Sequence, residues 1–219
     1  MAFDFKIEND IAVITFDDGK VNAVGFTLID QINDALDKAE KDAKALVLHG
    51  GDGKFCGGFD LSVMKADDKS KQHELVQAGA ALIVRLYSYP LPVVVAAEGH
   101  SIAMGAILLM AADLRVGKDG DAKYGLNETA IGMVLPPFGM ELAKSRLASD
   151  CQTEALLFSR IYQGEEAIKV GFLDMAVSQE KVLATALSYA DKLKMLPRAS
   201  FAGAKLALRR ETLEKMKQK

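Results

Sequence analysis

Cysteine and histidine are both scarce in this chain, and where they fall excludes several kinds of chemistry. Cys56 and Cys151 form neither a disulfide framework nor a metal-ligand spacing, and their scarcity fits a reducing compartment. Cys56 has no basic neighbour except Lys54 to activate it as a thiolate, so it reads as a small packing residue. The three histidines, His49, His73 and His100, lie at a strand end, a helix start and a turn, and none completes a Ser-His-Asp or Cys-His pattern. His100, beside Gly99, is expected to be a satisfied structural residue. No cluster of acids, histidines and cysteines suggests a metal.

Long apolar runs are also missing. Every apolar stretch is broken by Gly, Asp or Glu before it could span a bilayer. The net charge of −3 comes from interspersed signs, which gives no footprint for nucleic acid or an anionic membrane. The opening MAFDFKIEND lacks the basic and apolar regions of a signal peptide, so a cytoplasmic location is expected. Two phosphate-binding motifs fail as well. Lys54 is followed by Phe55 rather than Ser or Thr, against a P-loop, and the glycines around Gly51 and Gly53 lack the third glycine and the helix of a dinucleotide fingerprint.

What the chain does have is a substantial apolar content, 50% of its 219 residues, arranged in strand and helix periods. AFDFKI and IAVITF alternate around Glu8, Asn9 and Asp10, which predicts a hairpin. FTLIDQINDALDKAEKD places Phe26, Ile29, Ile32, Ala35 and Leu36 on one helical stripe. ALVLH (45–49) and VVVAA (93–97) read as covered strands, and HELVQAGAALIVRLYSY as a long helix stopped by Pro90 and Pro92. Residues 67–71 read as a mobile connection. LRVG and AKYG read as short strands around a turn, a helix is expected from about Phe138 to Leu147, DCQTEALLFSR and GEEAIKVGF as helices, LDMAV as a strand, and two helical stretches close the chain. With no linker or compositional break, a single domain over 1–219 is expected, its core about 1–178 and a helical segment about 179–219. The strands recur as β-β-α, which predicts an α/β fold without strict alternation.

Three segments could carry chemistry. The first is the glycine-dense turn GGDGKFCGGFDLSVM after the 45–49 strand, centred on Gly57, Gly58, Phe59 and Asp60. Alone it fits a surface loop as well as a close backbone approach, with Asp60 bracing its own turn. The second is EGHSIAMGAILLMAAD, where a strand hands over to a helix from Met104. Its free N–H groups could hold an anion or a transient oxyanion, although alone it fits a core helix better. The third is Glu128, in the apolar surroundings of YGLNETAIGMVLPP. A carboxylate there is an exposed loop acid or cap, or else a desolvated acid/base group with a raised pKa.

In combination the three are far more specific. FCGGFDLSVM, then VVAAEGHSIAMGAILLMAADLRVG, then KYGLNETAIGMVLPPFG, together with KVNAVG and EEAIKVGFLDMAV, resemble the crotonase superfamily of acyl-CoA enzymes over roughly residues 5–178. The resemblance implies a crotonase-like spiral of β-β-α repeats with a C-terminal helical segment. It also implies an acyl-CoA thioester substrate of fatty-acid metabolism, no cofactor beyond the coenzyme A of the substrate itself, and a homotrimer or dimer of trimers.

By the same resemblance, the backbone N–H groups of Phe59 and Met104 form an oxyanion hole for the thioester carbonyl. Coenzyme A is expected along Gly57, Gly58, Phe59, Asp60 and Leu61, with Asn22, Ala23 and Val24 lining the way. Glu128 is expected as the catalytic acid/base, oriented by Asn127. Family members commonly have Gly where this chain has Met104, so Met104 must adopt the required backbone angles. The hydratases use two glutamates, and the first of their positions is Ile107 here, a loss that would cost hydration on the order of 10²- to 10⁴-fold. A single glutamate is the pattern of the 3-enoyl-CoA to 2-enoyl-CoA isomerases, the branch this chain looks most like, with a weak hydratase or a non-catalytic acyl-CoA binder as the alternatives. The family usually continues with further helices past the equivalent of Lys219, and the basic tail RRETLEKMKQK is expected to be a solvated helix face.

Overall fold

The computed structural model describes residues 2–51 and 53–217. The expected hairpin is present: β1 (Ala2–Glu8) and β2 (Ile11–Asp17) pair antiparallel with Glu8 opposite Ile11. Asn9 (φ 51°) and Asp10 (φ 64°) both sit in the left-handed region. Their short polar side chains tolerate it, and a two-residue loop with both φ values positive matches the twist of the strands it joins. Helix α1 (Phe26–Asp42) follows, burying Leu28, Ile29, Ile32, Ala35, Leu36 and Ala39. Phe26, placed on the stripe by its spacing, is exposed in the first turn.

The chain then repeats one unit three times. The first is β3 (Ala45–Gly50), β4 (Lys54–Cys56), the short α2 (Leu61–Met64) and α3 (Lys69–Tyr87). The second is β5 (Val93–Ala97), β6 (His100–Ile102) and α4 (Met104–Met110). The third is β7 (Leu114–Lys118), β8 (Tyr124–Gly125) and α5 (Pro137–Arg146). Helix α6 (Gly164–Val170), strand β9 (Met175–Val177), α7 (Gln179–Leu193) and α8 (Arg198–Met216) complete the order. In each unit the first strand enters one sheet and the second strand another. Among the described residues the large sheet runs β1-β2-β3-β5-β7-β9 and the small one β4-β6-β8. Among the described residues every strand-to-strand pairing after the hairpin is parallel, and a single antiparallel bridge joins Tyr124 of β8 to Tyr162. This is the β-β-α spiral the sequence predicts.

The central strands are apolar at nearly every position because the large sheet is covered on both faces. Leu46, Leu48, Val93, Val95 and Ala97 join the core beneath α1, α3 and α4. Ala45, Val47, Val94 and Ala96 face Val182, Ala186 and Ala190 of α7. Strands β4 and β6 and helix α2 are too short to show a period in the sequence.

Several expectations need correction. Lys69, Ser70 and Lys71 are the first turn of α3 rather than a mobile connection, because Asp68 caps it by accepting from Lys71 N at 3.1 Å. The 151–159 region forms only a π-helical stretch, Thr153–Leu157. The strands β7 and β8 around the 119–121 turn lie in different sheets. The C-terminal tail is not simply a solvated face, since Arg209, Leu213 and Met216 are buried. Helix α8 packs on α5 and α3. It is anchored by Lys205, whose ammonium donates to Tyr89 O, Leu91 O and Asp113 Oδ2, and by Arg209, which pairs with Asp113 Oδ1 at 3.0 Å. No helix among the described residues is long and apolar enough to cross a membrane.

Candidate active site

The three segments singled out in the sequence follow three neighbouring strands of the small parallel sheet. Strand β4 leads into Gly57 to Asp60, β6 into Ala103 and Met104, and β8 into Asn127 and Glu128. Parallel strands all end at the same edge, so segments far apart in the chain emerge side by side there, where ligands of open α/β sheets bind. The register is Cys56 beside Ser101, Ser101 beside Tyr124, and Ile102 beside Gly125.

The glycine turn and the helix start are in direct contact. A methyl group built on Gly58, whose φ is +120°, would lie 3.3 Å from Ala103 Cβ and 3.9 Å from Met104 N. One built on Gly105 would lie 2.0 Å from Cys56 O, so no larger residue fits between α4 and β4. The turn is also clamped from its other side: Val24 N donates to Gly58 O at 2.8 Å, and Asp60 N donates to Val24 O at 3.0 Å. These bonds leave the N–H of Phe59 pointing away from Val24. Among the described residues neither Phe59 N nor Met104 N donates a hydrogen bond within the protein. Two free donors, one of them at a helix N-terminus, therefore stand together.

The unusual backbone falls one residue earlier than expected. Met104 begins α4 with ordinary helical geometry, and it is Ala103 that carries φ 53° and ψ −124°. An L-residue there stores about 1–3 kcal/mol of strain. The large side chain at position 104 is thus compatible with the turn.

Glu128 is 7% exposed, and its Oε2 is buried without a hydrogen-bond partner. Burial pushes its carboxyl above the ordinary 4.5, partly offset by a bond from its own backbone N–H. It stands at the start of a 3₁₀ turn, Thr129–Ile131, closed by Gly132 in the left-handed region. Among the described residues no hydrogen bond joins the Asn127 side chain to Glu128, and Asn127 Oδ1 is itself buried without a partner. Ile107 is buried in α4, with its Cδ1 facing Gly139 and Leu135.

Other candidate residues have structural duties. Asn22 is 1% exposed; its Oδ1 accepts from Asp18 N and its Nδ2 donates to Phe55 O, so its side chain ties a loop to β4 rather than facing a ligand. Asp18 gathers the N–H groups of Lys20, Asn22 and Ala23, a set of contacts with no local sequence signal, and against the upward push of burial these bonds hold its pKa low. Asp60 braces its own turn by accepting from Ser62 N at 2.8 Å. Ala23 is partly exposed, Val24 buried, and Gly57 and Leu61 exposed beside the free Phe59 amide. His100 Nδ1 accepts from Lys123 N, and the Cys56 thiol is fully buried, its pKa pushed up to about 12. Among the described residues no group of three or more His, Cys, Asp or Glu is placed to hold a metal ion.

A family model described as enoyl-CoA hydratase/isomerase matches residues 6–219. The chain belongs to this family. A peroxisomal fatty acid β-oxidation multifunctional protein of Arabidopsis thaliana is 33% identical over 84% of this chain, which spans only 26% of that longer protein. Among solved structures, an enoyl-CoA isomerase from Mycobacterium tuberculosis superposes with a TM-score of 0.94 at 36% identity, covering 98% of this chain and 93% of the other. An enoyl-CoA hydratase from Mycobacterium marinum superposes with a TM-score of 0.93 at 38% identity, covering 98% and 94%. The protein is thus an enzyme of the enoyl-CoA hydratase/isomerase family with the crotonase fold, and its similar structures include both activities by name.

Proposed function

We propose that the protein moves the double bond of a 3-enoyl-CoA to give the 2-enoyl-CoA, using one carboxylate. The thioester oxygen accepts from Phe59 N–H and Met104 N–H. Ionised Glu128 takes a proton from C2; the electron pair of that C–H bond spreads over C2, C4 and the thioester oxygen as a dienolate. The charge on oxygen is held by the two fixed donors and the start of α4. Glu128 then returns the same proton to C4, and the double bond is left between C2 and C3. The coenzyme A portion lies along the main chain of Gly57 to Leu61, past Ala23 and Val24. No cofactor besides the coenzyme A of the substrate is required.

The observation that carries this reading is the isolated, buried Glu128 carboxylate with one oxygen unpaired, combined with an aliphatic side chain at Ile107. A single group that both takes and returns a proton works best with a pKa displaced toward neutrality. Water addition calls for a second acid/base group to hold and deprotonate the water, and Ile107 offers none. The hydratase reading keeps support from the similarity to the Mycobacterium marinum enzyme, with weak water addition as its expected form. We further propose assembly as a homotrimer or dimer of trimers. The exposed Ile131, Val134, Leu157 and Phe158 support it, on turns joined by Thr129 Oγ1 donating to Leu156 O and Ala130 N donating to Ser159 Oγ.

Incubation with matched 3-enoyl- and 2-enoyl-CoA thioesters tests the assignment. Double-bond transfer is expected to exceed hydration of crotonyl-CoA, and Glu128→Gln is expected to lower transfer by about 10³-fold or more while acyl-CoA affinity holds. Normal turnover by that variant, or hydration as the main reaction, would overturn it.

A further inference from the structure

The side chains of the two residues with free amides meet at one spot on α3. A methyl group built on Gly79 would lie 2.7 Å from both Cε1 and Cζ of the Phe59 ring, and 3.2 Å from the terminal methyl of Met104. Gly79 is buried within the 19-residue α3, whose sequence there is VQAGAAL. Glycine is a poor helix residue, and Gly79 is not among the residues with positive φ, so it is not there for a special backbone conformation. What it supplies is room. The edge of the Phe59 ring and the end of Met104 both rest where a Cβ would stand.

We propose that Gly79 is a positioning residue that sets the alignment of the Phe59 and Met104 N–H groups. This rests on the oxyanion-hole reading above and adds the element that holds the hole in shape. Phe59 is pinned by the Val24 bonds to its two neighbours, Gly58 and Asp60. The Phe59 N–H belongs to the same peptide unit as the Gly58 carbonyl that Val24 holds, so a ring pushed off α3 strains that anchored unit and shifts the N–H it carries. Met104 follows the strained Ala103, and its fully buried side chain fixes the first turn of α4 against the same helix. Large side chains at both donor positions need a common seat, and Gly79 provides it.

Gly79→Ala tests this, with the carbonyl stretch of bound 2-enoyl-CoA, ¹³C-labelled at C1, read by difference infrared spectroscopy. In the wild type the hole is expected to shift the stretch to lower frequency. The variant is expected to lose most of that shift and about 10- to 100-fold in kcat, with its dissociation constant for the same ligand changed by less than about threefold. In a Phe59→Leu background, where the ring edge is gone, adding Gly79→Ala is expected to cost less than about threefold in kcat, and this pair also serves if the single variant folds poorly. A merely structural glycine would show an unchanged carbonyl shift, or the same loss in both backgrounds, and either result overturns the proposal. A wild type that polarises the carbonyl but moves no double bond would remove the isomerase reading alone, and the spectra would still decide the role of Gly79.

Discussion

Ala103 donates its N–H to the carbonyl of Gly125 at 3.0 Å. This one bond closes the edge of the small sheet between the helix start at Met104 and the loop that carries Glu128. It links the backbone just before Met104 to the strand that leads to the proposed base by main chain alone.

The strain at Ala103 is the first consequence to test. With φ 53° and ψ −124°, replacement by glycine removes a Cβ that the backbone does not favour. Ala103→Gly is expected to raise stability by about 1 kcal/mol and the melting temperature by ~2–4 °C, read by calorimetry. A lower melting temperature would mean that the contact between Ala103 and Gly58 outweighs the strain.

Glu128 has opposite effects on activity and stability. Because burial raises its folded-state pKa above 4.5, the protonated form is favoured by the fold. That stability is fully present below pH 4.5 and is lost as pH rises through the higher folded pKa. The ionised form is the one proposed to take the proton, so kcat/KM is expected to rise with pH through that same raised pKa and then level off. Glu128→Gln is expected to be at least as stable as the wild type at neutral pH and to lack this part of the pH dependence. Urea titrations at pH 5 and pH 8, beside a pH–rate profile, check both statements.

Ile107→Glu returns a second carboxylate to α4, on the helix whose first residue carries one of the free amides. Hydration of crotonyl-CoA is expected to rise by about 10²-fold, at a stability cost of ~1–3 kcal/mol for burying the group among Gly139 and Leu135. A folded variant with no gain in water addition would show that position 107 does not face the reacting carbons.

Docking of α8 depends on one carboxylate that serves two cations. Asp113→Ala leaves Lys205 and Arg209 buried without their counter-charge, and a loss of about 3–5 kcal/mol is expected in urea denaturation. Lys205→Met is expected to cost less, since Asp113 keeps Arg209 and the N–H of Val93. Equal losses would show that Lys205 alone holds the helix.

Much of this was legible in the chain. The hairpin, α1, the covered strands β3 and β5, and α3 follow from period and propensity, because each is long enough to show a pattern over several residues. The three-residue strands β4 and β6 are not long enough, and with β8, which AKYG announces, they form the sheet that assembles the site. Asp68 hid the start of α3: a run of polar residues looks like a loop until its cap is seen. The bond of Asn22 to Phe55 and the burial of Arg209 are invisible in the sequence for a related reason, since both depend on partners distant in sequence.

By itself the amino-acid sequence determined which residues could carry the proposed chemistry: a turn with no side chain at Gly57 and Gly58, an apolar helix from Met104, a carboxylate at Glu128 in an apolar stretch, and no acid at Ile107. Only the tertiary structure decided that the free N–H groups of Phe59 and Met104 stand together, that the strain lies at Ala103, and that Gly79 on a separate helix receives both donor side chains. The physical reason is that composition and local spacing set what a residue can do. Parallel strand order and close packing set which residues meet, and those contacts join parts of the chain that no local pattern connects.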